Sequence, residues 1–189
     1  MFFLDGMANP LDVPVPNITC RDIQSSFYVG KLIILAPGDL IISNIPFPPK
    51  SITFKALASV SAFNSEPNGN IAKESRGIQN FTGTMHGYAK TGAYNKIDHQ
   101  VISSGHHSLA PSLLTQFASD KHCIAFRYTN PDGKTLGVIK AKVKEFTSDG
   151  FILSIEFEKG EVYNDDIYPN VLPMDIMNQG LVVLFEAHQ

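Results

Sequence analysis

Three segments of alternating side chains, joined by two turn signals, constrain the middle of this chain more tightly than anything else in it. In HCIAFRYTNPDGKTLGVIKAKVKEFTSDGFILSIEF, Ile124, Phe126 and Tyr128 alternate with Cys123, Ala125 and Arg127. Ile139, Ala141 and Val143 alternate with Lys140, Lys142 and Lys144, and Phe151, Leu153, Ile155 and Phe157 alternate with Ser154, Glu156 and Glu158. Successive side chains on a strand point to opposite faces, so each segment has one apolar and one polar side. All three apolar sides share a face only if each loop has the right length. A loop over 131–134 places Phe126 opposite Ile139 and Ile124 opposite Ala141. A loop of Ser148, Asp149 and Gly150, with Gly150 in the left-handed position of a G1 bulge, sets Lys142 beside Glu156 and Lys140 beside Glu158. The prediction is a β-meander over 122–158 with a ladder of opposite charges on its outer face.

The rest of the chain follows the same logic. FYVGKLIIL and DLIISNI flank the turn APG, and in SITFKALASV the residues Ile52, Phe54, Ala56, Ala58 and Val60 alternate with their neighbours. NFTGTMHGYAK and HQVISSG read as glycine-interrupted strands, LVVLFEA as a closing strand, and APSLLTQFA as the one stretch compatible with a short helix. NSEPNGN with AKESRG, and EVYNDDIYPNVLPMDIMNQG, read as long loops. About eight strands separated by turns predict an all-β fold, a β-sandwich of jelly-roll-like form, over 27–189. Residues 1–26 differ. Pro10, Pro14 and Pro16 exclude both a helix and a central strand, leaving an extended N-terminal arm. Its apolar residues Phe2, Phe3, Leu4, Leu11, Val13, Val15 and Ile18 have two places to go: a neighbouring subunit, or the arm's own domain.

Composition narrows the function. With 18 acidic against 15 basic residues the net charge is −3, which gives no broad attraction to nucleic acid. No apolar run reaches the length of about 20 residues that a membrane-spanning helix needs, and MFFLDGM meets Asp5 too early to be a secretion signal. Cys20 and Cys123 match no metal spacing and are read as two free thiols of a protein made in the cytoplasm, with a disulfide as the alternative. No nucleophile elbow, phosphate loop or zincin helix is present, so the expectation is a protein that is not an enzyme and carries no cofactor. The polar cluster SSGHHS brings Ser104, His106 and His107 together, and His86 and His99 are the other histidines weighed as metal ligands. Neighbouring histidines on a strand point apart, so these are read as surface or rim residues and no metal site is assigned. Glu161, Asp165 and Asp166 are read as a solvated acidic loop, and Lys140, Lys142 and Lys144 as a solvated sheet face. Phe81, Tyr88, Tyr94, Tyr163 and Tyr168 lie in or near loops and glycine-rich strands, where they suit a sugar-stacking surface or an interface, or are ordinary partly buried rings.

GDLIISNIPFPPKSITFKAL, GTMHGYAK, CIAFRYTNPDGKTLGVIKAKV and FTSDGFILSI together resemble a β-sandwich module of tailed-phage and prophage virion proteins, over roughly 27–187. A strand entering a Pro-Lys pair and a DGF hairpin near the end are the shared features, and no catalytic residue accompanies them. The resemblance implies a virion structural protein that assembles as a homo-oligomer, a trimer in the favoured case. It is expected to contact other virion proteins such as the major capsid protein. Capsid decoration, with the arm as fastener, is the leading role, and a tail-associated adhesin for a cell-surface glycan is the alternative.

Overall fold

The computed structural model describes residues 26–64, 76–160 and 173–189. Ten strands run in chain order: β1 (Phe27–Ile34), β2 (Gly38–Ile42), β3 (Ser51–Leu57), β4 (Phe81–Thr91), β5 (Ile97–His107), β6 (Ala110–Ser119), β7 (Ile124–Thr129), β8 (Thr135–Thr147), β9 (Gly150–Lys159) and β10 (Leu181–His188). They form a six-stranded sheet, β1-β10-β3-β4-β5-β6, and a four-stranded sheet, β2-β9-β8-β7, with every pairing antiparallel. The two sheets pack face to face as an all-β sandwich. It is jelly-roll-like in the way its ends wind together: β1 lies beside β10 on one sheet while β2 lies beside β9 on the other. Between these wraps the chain runs as two meanders, β3 to β6 and then β7 to β9.

The core is built from the inward side of each strand. From the six-stranded sheet come Ile52, Phe54, Met85, Val101, Val183 and Phe185; facing them are Ile124, Phe126, Ile139, Phe151, Leu153 and Ile155. Two aromatic groups tie the layers together. Phe151 meets Phe54 and Phe185 edge-on at centroid distances of 5.9 and 5.3 Å, and Phe81 meets Tyr128 at 5.3 Å. Phe81, read as a loop or rim aromatic, is therefore a core ring, because β4 begins at that residue and turns it inward.

The central meander has the expected β7–β8 register, with Ile124 opposite Ala141 and Phe126 opposite Ile139. Its loop is closed by Asn130, whose side-chain oxygen accepts hydrogen bonds from the N–H groups of Asp132 and Lys134 at 3.0 and 2.9 Å. Gly133, at φ 79°, takes the left-handed position there. The β8–β9 hairpin keeps the expected sharing of one apolar face but reaches it differently. Thr147 pairs directly with Gly150, so the turn itself holds only Ser148 and Asp149. A turn that short opposes odd residues with even ones, and the parity is restored by a bulge at Lys144, between the Glu145–Ile152 and Val143–Leu153 pairs. Consequently Lys142 faces Ser154 and Lys140 faces Glu156, a shift of two residues from the ladder read in the sequence. Lys140 still pairs with Glu158, on the diagonal, and the bulged Lys144 reaches Asp39 on β2 at 2.6 Å. Gly150 is not among the positive-φ glycines. It is needed because the Ile42 carbonyl oxygen lies 1.9 Å from where its Cβ would be.

APSLLTQFA is a strand, β6, and not a helix. Leu113, Leu114 and Phe117 satisfy a helical spacing, but pairing of 115–119 with β5 puts Thr115, Phe117 and Ser119 half-buried while Leu114, Gln116 and Ala118 face out.

Candidate functional site

The four-stranded sheet and the six-stranded sheet differ in what they show to solvent. On β8 and β9 the outward residues are mainly Lys, Glu and Ser, as the alternation requires, and the exposed apolar residue of this sheet's outer face is Ile41 on the edge strand β2. On the six-stranded sheet the outward residues are mixed and include large apolar side chains. Val29, Leu57, Ile102 and Leu184 are 60%, 56%, 57% and 54% exposed, and all lie on this one face.

The register places them. One row of direct cross-strand neighbours runs Lys31, Leu184, Lys55, His86, Ile102 and Ala118, from β1 to β6. The next row toward one end runs through Leu57, Thr84, Ser104 and Gln116, with Val182 and Ile33 opposite each other on β10 and β1. The row toward the other end holds Val29, Glu186, Thr53, Tyr88 and Gln100. Leu57, Val60, Val182 and Leu184, with the stem of Lys55, enclose a shallow apolar depression of about 250 Å³. A second hollow of about 460 Å³, lined by His86, Ile102, Ser104, Gln116 and Ala118, continues it toward β6. Lysines frame the face: Lys31 lies over the Phe63 ring at 4.6 Å, Lys90 over Tyr88 at 5.8 Å, and Lys55 pairs with Glu186 at 3.3 Å. The site is thus an extended, lightly basic, apolar sheet surface. Its chemistry suits contact with another macromolecule, since contiguous exposed apolar area on a folded chain marks interaction surfaces.

The residues weighed in the sequence are distributed across the molecule. His86 and Ser104 stand on this face, and His99 points to the Val143 carbonyl at 3.1 Å. His106 is half-buried, its Nδ1 3.3 Å from the His107 carbonyl oxygen. His107 is not a rim residue: it is 1% exposed. The N–H of Leu109 donates to His107 Nδ1 at 3.2 Å, so Nε2 carries the proton and donates to the Gly77 carbonyl at 3.2 Å. Both ring nitrogens have structural duties: removing the ring takes away the acceptor of the Leu109 N–H and one of the donors to the Gly77 carbonyl, which also accepts from the Asn80 N–H. Among the described residues no three His, Cys, Asp or Glu side chains gather at metal-binding distance. Cys123 is a buried free thiol, and burial pushes its pKa up to about 12. Tyr94 is 95% exposed at the tip of the β4–β5 hairpin, and Tyr88 lies on the open face. Cys20, Glu161, Tyr163, Asp165, Asp166, Tyr168 and the arm residues Phe2, Phe3, Leu4, Leu11, Val13, Val15 and Ile18 lie outside the described residues.

The open face was not singled out in the sequence, although a signal for it exists. LVVLFEA on β10 and FYVGKLII on β1 are apolar at even and odd positions alike. A strand with one solvated face alternates, so the unbroken apolar run LVVLF of β10 announces contact on both sides.

The histidines give the fold a pH dependence. Burial lowers the pKa values of His99, His107 and His122 below the ordinary 6.5, outweighing the opposing hydrogen bonds to the Val143 and Gly77 carbonyls at the first two. The unfolded chain therefore binds these protons more readily than the folded one. The stabilisation is complete above about 6.5 and is lost as the pH falls through that value toward the folded ones. Melting temperatures are expected to be level above neutrality and to fall over the interval below about pH 6.5, with the fall reduced in His107→Asn. A profile with no slope across that interval contradicts this assignment of neutral histidines.

Comparison with models of protein families, with curated proteins and with solved structures finds no match to this chain.

Proposed function

We propose that the chain is a non-enzymatic assembly protein of a phage-like particle, most simply a capsid decoration or cement protein, acting through the outer face of its six-stranded sheet. The observation that carries this reading is the exposure of Val29, Leu57, Ile102 and Leu184 together on that face, beside an apolar depression. Apolar area left in water costs about 25 cal/mol per Å², and a partner that covers it recovers that free energy. The resemblance to virion sandwich modules supplies the setting: a homo-oligomer that contacts the major capsid protein, made in the host cytoplasm and carried on the particle. Electron microscopy of intact particles with labelled antibody against the protein tests it. Label over the head is expected; no label on any particle overturns the reading.

Label confined to the tail would favour the second reading, a glycan-binding adhesin. Tyr94 favours that reading specifically, since a ring that is 95% exposed at a hairpin tip is poised to stack on a sugar. Its backbone, at φ 57° with Asn95 at 59°, is held in the left-handed region.

A further inference from the structure

The outer face of the six-stranded sheet has a chemical match within the same sequence. We propose that residues 1–25 of one copy lie across this face of a second copy. This inference rests on the assembly reading above and names the surface through which copies join.

The first support is where the segment is attached. The described chain begins at Ser26, whose carbonyl accepts a hydrogen bond from the Gln189 N–H at 3.2 Å, and Phe27 then opens β1, the edge strand of this sheet. The segment is therefore tethered at the rim of the sheet whose outer face is apolar.

The second support is complementarity. Leu11, Val13 and Val15 alternate, so an extended chain presents all three on one side, as a sheet surface requires. The facing surface offers Leu57, Val182 and Leu184 around the depression. Residues 1–25 hold Asp5, Asp12 and Asp22 against the single Arg21, while Leu184 sits between Lys31 and Lys55 in its cross-strand row. An acidic, apolar segment meeting a lightly basic, apolar face is favoured both by burial and by charge.

The third support separates a second copy from the segment's own domain. Residues 19–25 contain neither Gly nor Pro, the strongest turn formers, and only Asp22 and Ser25 among the weaker ones, so a tight turn back onto the face that β1 borders is poorly favoured. Pro10, Pro14 and Pro16, by their fixed φ and missing N–H, disfavour a helix in the part before it. At about 3.3 Å per residue, 18 residues in extended strand-like form span about 59 Å, roughly twice the width of six strands spaced by about 4.8 Å. A chain continuing outward from β1 leaves its own sheet behind and has the reach to cross a neighbour's.

The test uses full-length protein and sedimentation. The unaltered chain is expected to self-associate. A face variant, Leu57→Glu with Leu184→Glu, and an arm variant, Val13→Asp with Val15→Asp, are each expected to weaken association more than tenfold. Compared at concentrations where both are monomeric, the face variant and the unaltered chain are expected to melt alike, because both of its positions are exposed on the single copy. Mixed together, the two variants are expected to form a one-to-one complex, since the face variant keeps an intact arm and the arm variant an intact face. An unaltered protein that stays monomeric, variants that associate as well as the parent, or a mixture that forms no complex each overturn the proposal. Self-association of purified protein is read without any particle, so it fails or holds independently of the antibody labelling. A pair of arm variants, the second being Leu11→Ser with Val13→Ser, guards against an effect of added charge alone.

Discussion

Phe151→Ala is expected to lower the free energy of unfolding by about 3–5 kcal/mol. The ring is fully buried on β9 and meets Phe185 at 5.3 Å with an interplanar angle of 83° and Phe54 at 5.9 Å with 71°. Phe54 and Phe185 are direct cross-strand partners on β3 and β10, so the three rings form a seam in which one sheet grips the other. Truncation removes the buried area of a ring, opens a cavity that two strands of the opposite sheet cannot close, and deletes two edge-to-face contacts, each worth about 0.5–1.5 kcal/mol. A domain of this kind is stable by about 5–15 kcal/mol in all, so about a fifth or more of its stability is at stake. With roughly 2–4 °C per kcal/mol at this size, the melting temperature should fall by about 6–20 °C. Urea titration should show a lower midpoint with an unchanged slope, as a cavity changes stability and not the surface exposed on unfolding. Leu184→Ala is the control. It lies one residue from Phe185 but on the open face, and should change stability by less than about 0.5 kcal/mol. A loss below about 1 kcal/mol for Phe151→Ala would mean that the layers are held elsewhere.

The meander over β7, β8 and β9 was legible because its information is local. Two short loops and three alternations put the apolar sides on one face, and the pairs Ile124–Ala141 and Phe126–Ile139 follow, whereas the bulge at Lys144 that shifts the β8–β9 pairs by two residues leaves no mark on the alternation. The features that escaped depend on distant chain. His107 reads as a surface residue until Gly77, thirty residues earlier, comes to accept its hydrogen bond. β6 reads as a helix because Leu113, Leu114 and Phe117 fit a helical spacing, and only pairing with the neighbouring β5 overrides it. The six-stranded order, with β10 inserted between β1 and β3, follows from the winding of the chain ends and not from any spacing within a strand. The candidate site belongs to this second class. Leu184, Leu57 and Ile102 are separated by tens of residues, and only the register across β10, β3, β4 and β5 makes them neighbours.

Gly150 gives the second large effect, and its interest is that two mechanisms predict opposite rescues. If the hairpin demanded a left-handed residue at 150, Gly150→Ala would cost about 1–2 kcal/mol, and asparagine, which tolerates that conformation, would recover part of the loss. The structure gives a different reason for glycine. A Cβ at this position would lie 1.9 Å from the Ile42 carbonyl oxygen, 2.8 Å from its carbon and 3.0 Å from the Ser43 Cα, all of them backbone atoms. No rotamer change relieves that contact, so the end of β2 must move off β9, straining the pairs Ile42–Phe151 and Ile41–Ile152 and the Ile45 N–H to Asp149 carbonyl bond of 2.9 Å just beyond. Gly150→Ala is therefore expected to cost about 3 kcal/mol, at the upper end of overpacking effects, and Gly150→Asn at least as much. Gly133→Ala supplies the contrast: that residue sits at φ 79° with open space where its Cβ would go. It should lose only the conformational cost and be the position where asparagine is the milder change. Thermal melting of the four variants separates the mechanisms. If asparagine is better tolerated than alanine at 150, close approach of β2 is not what the glycine serves.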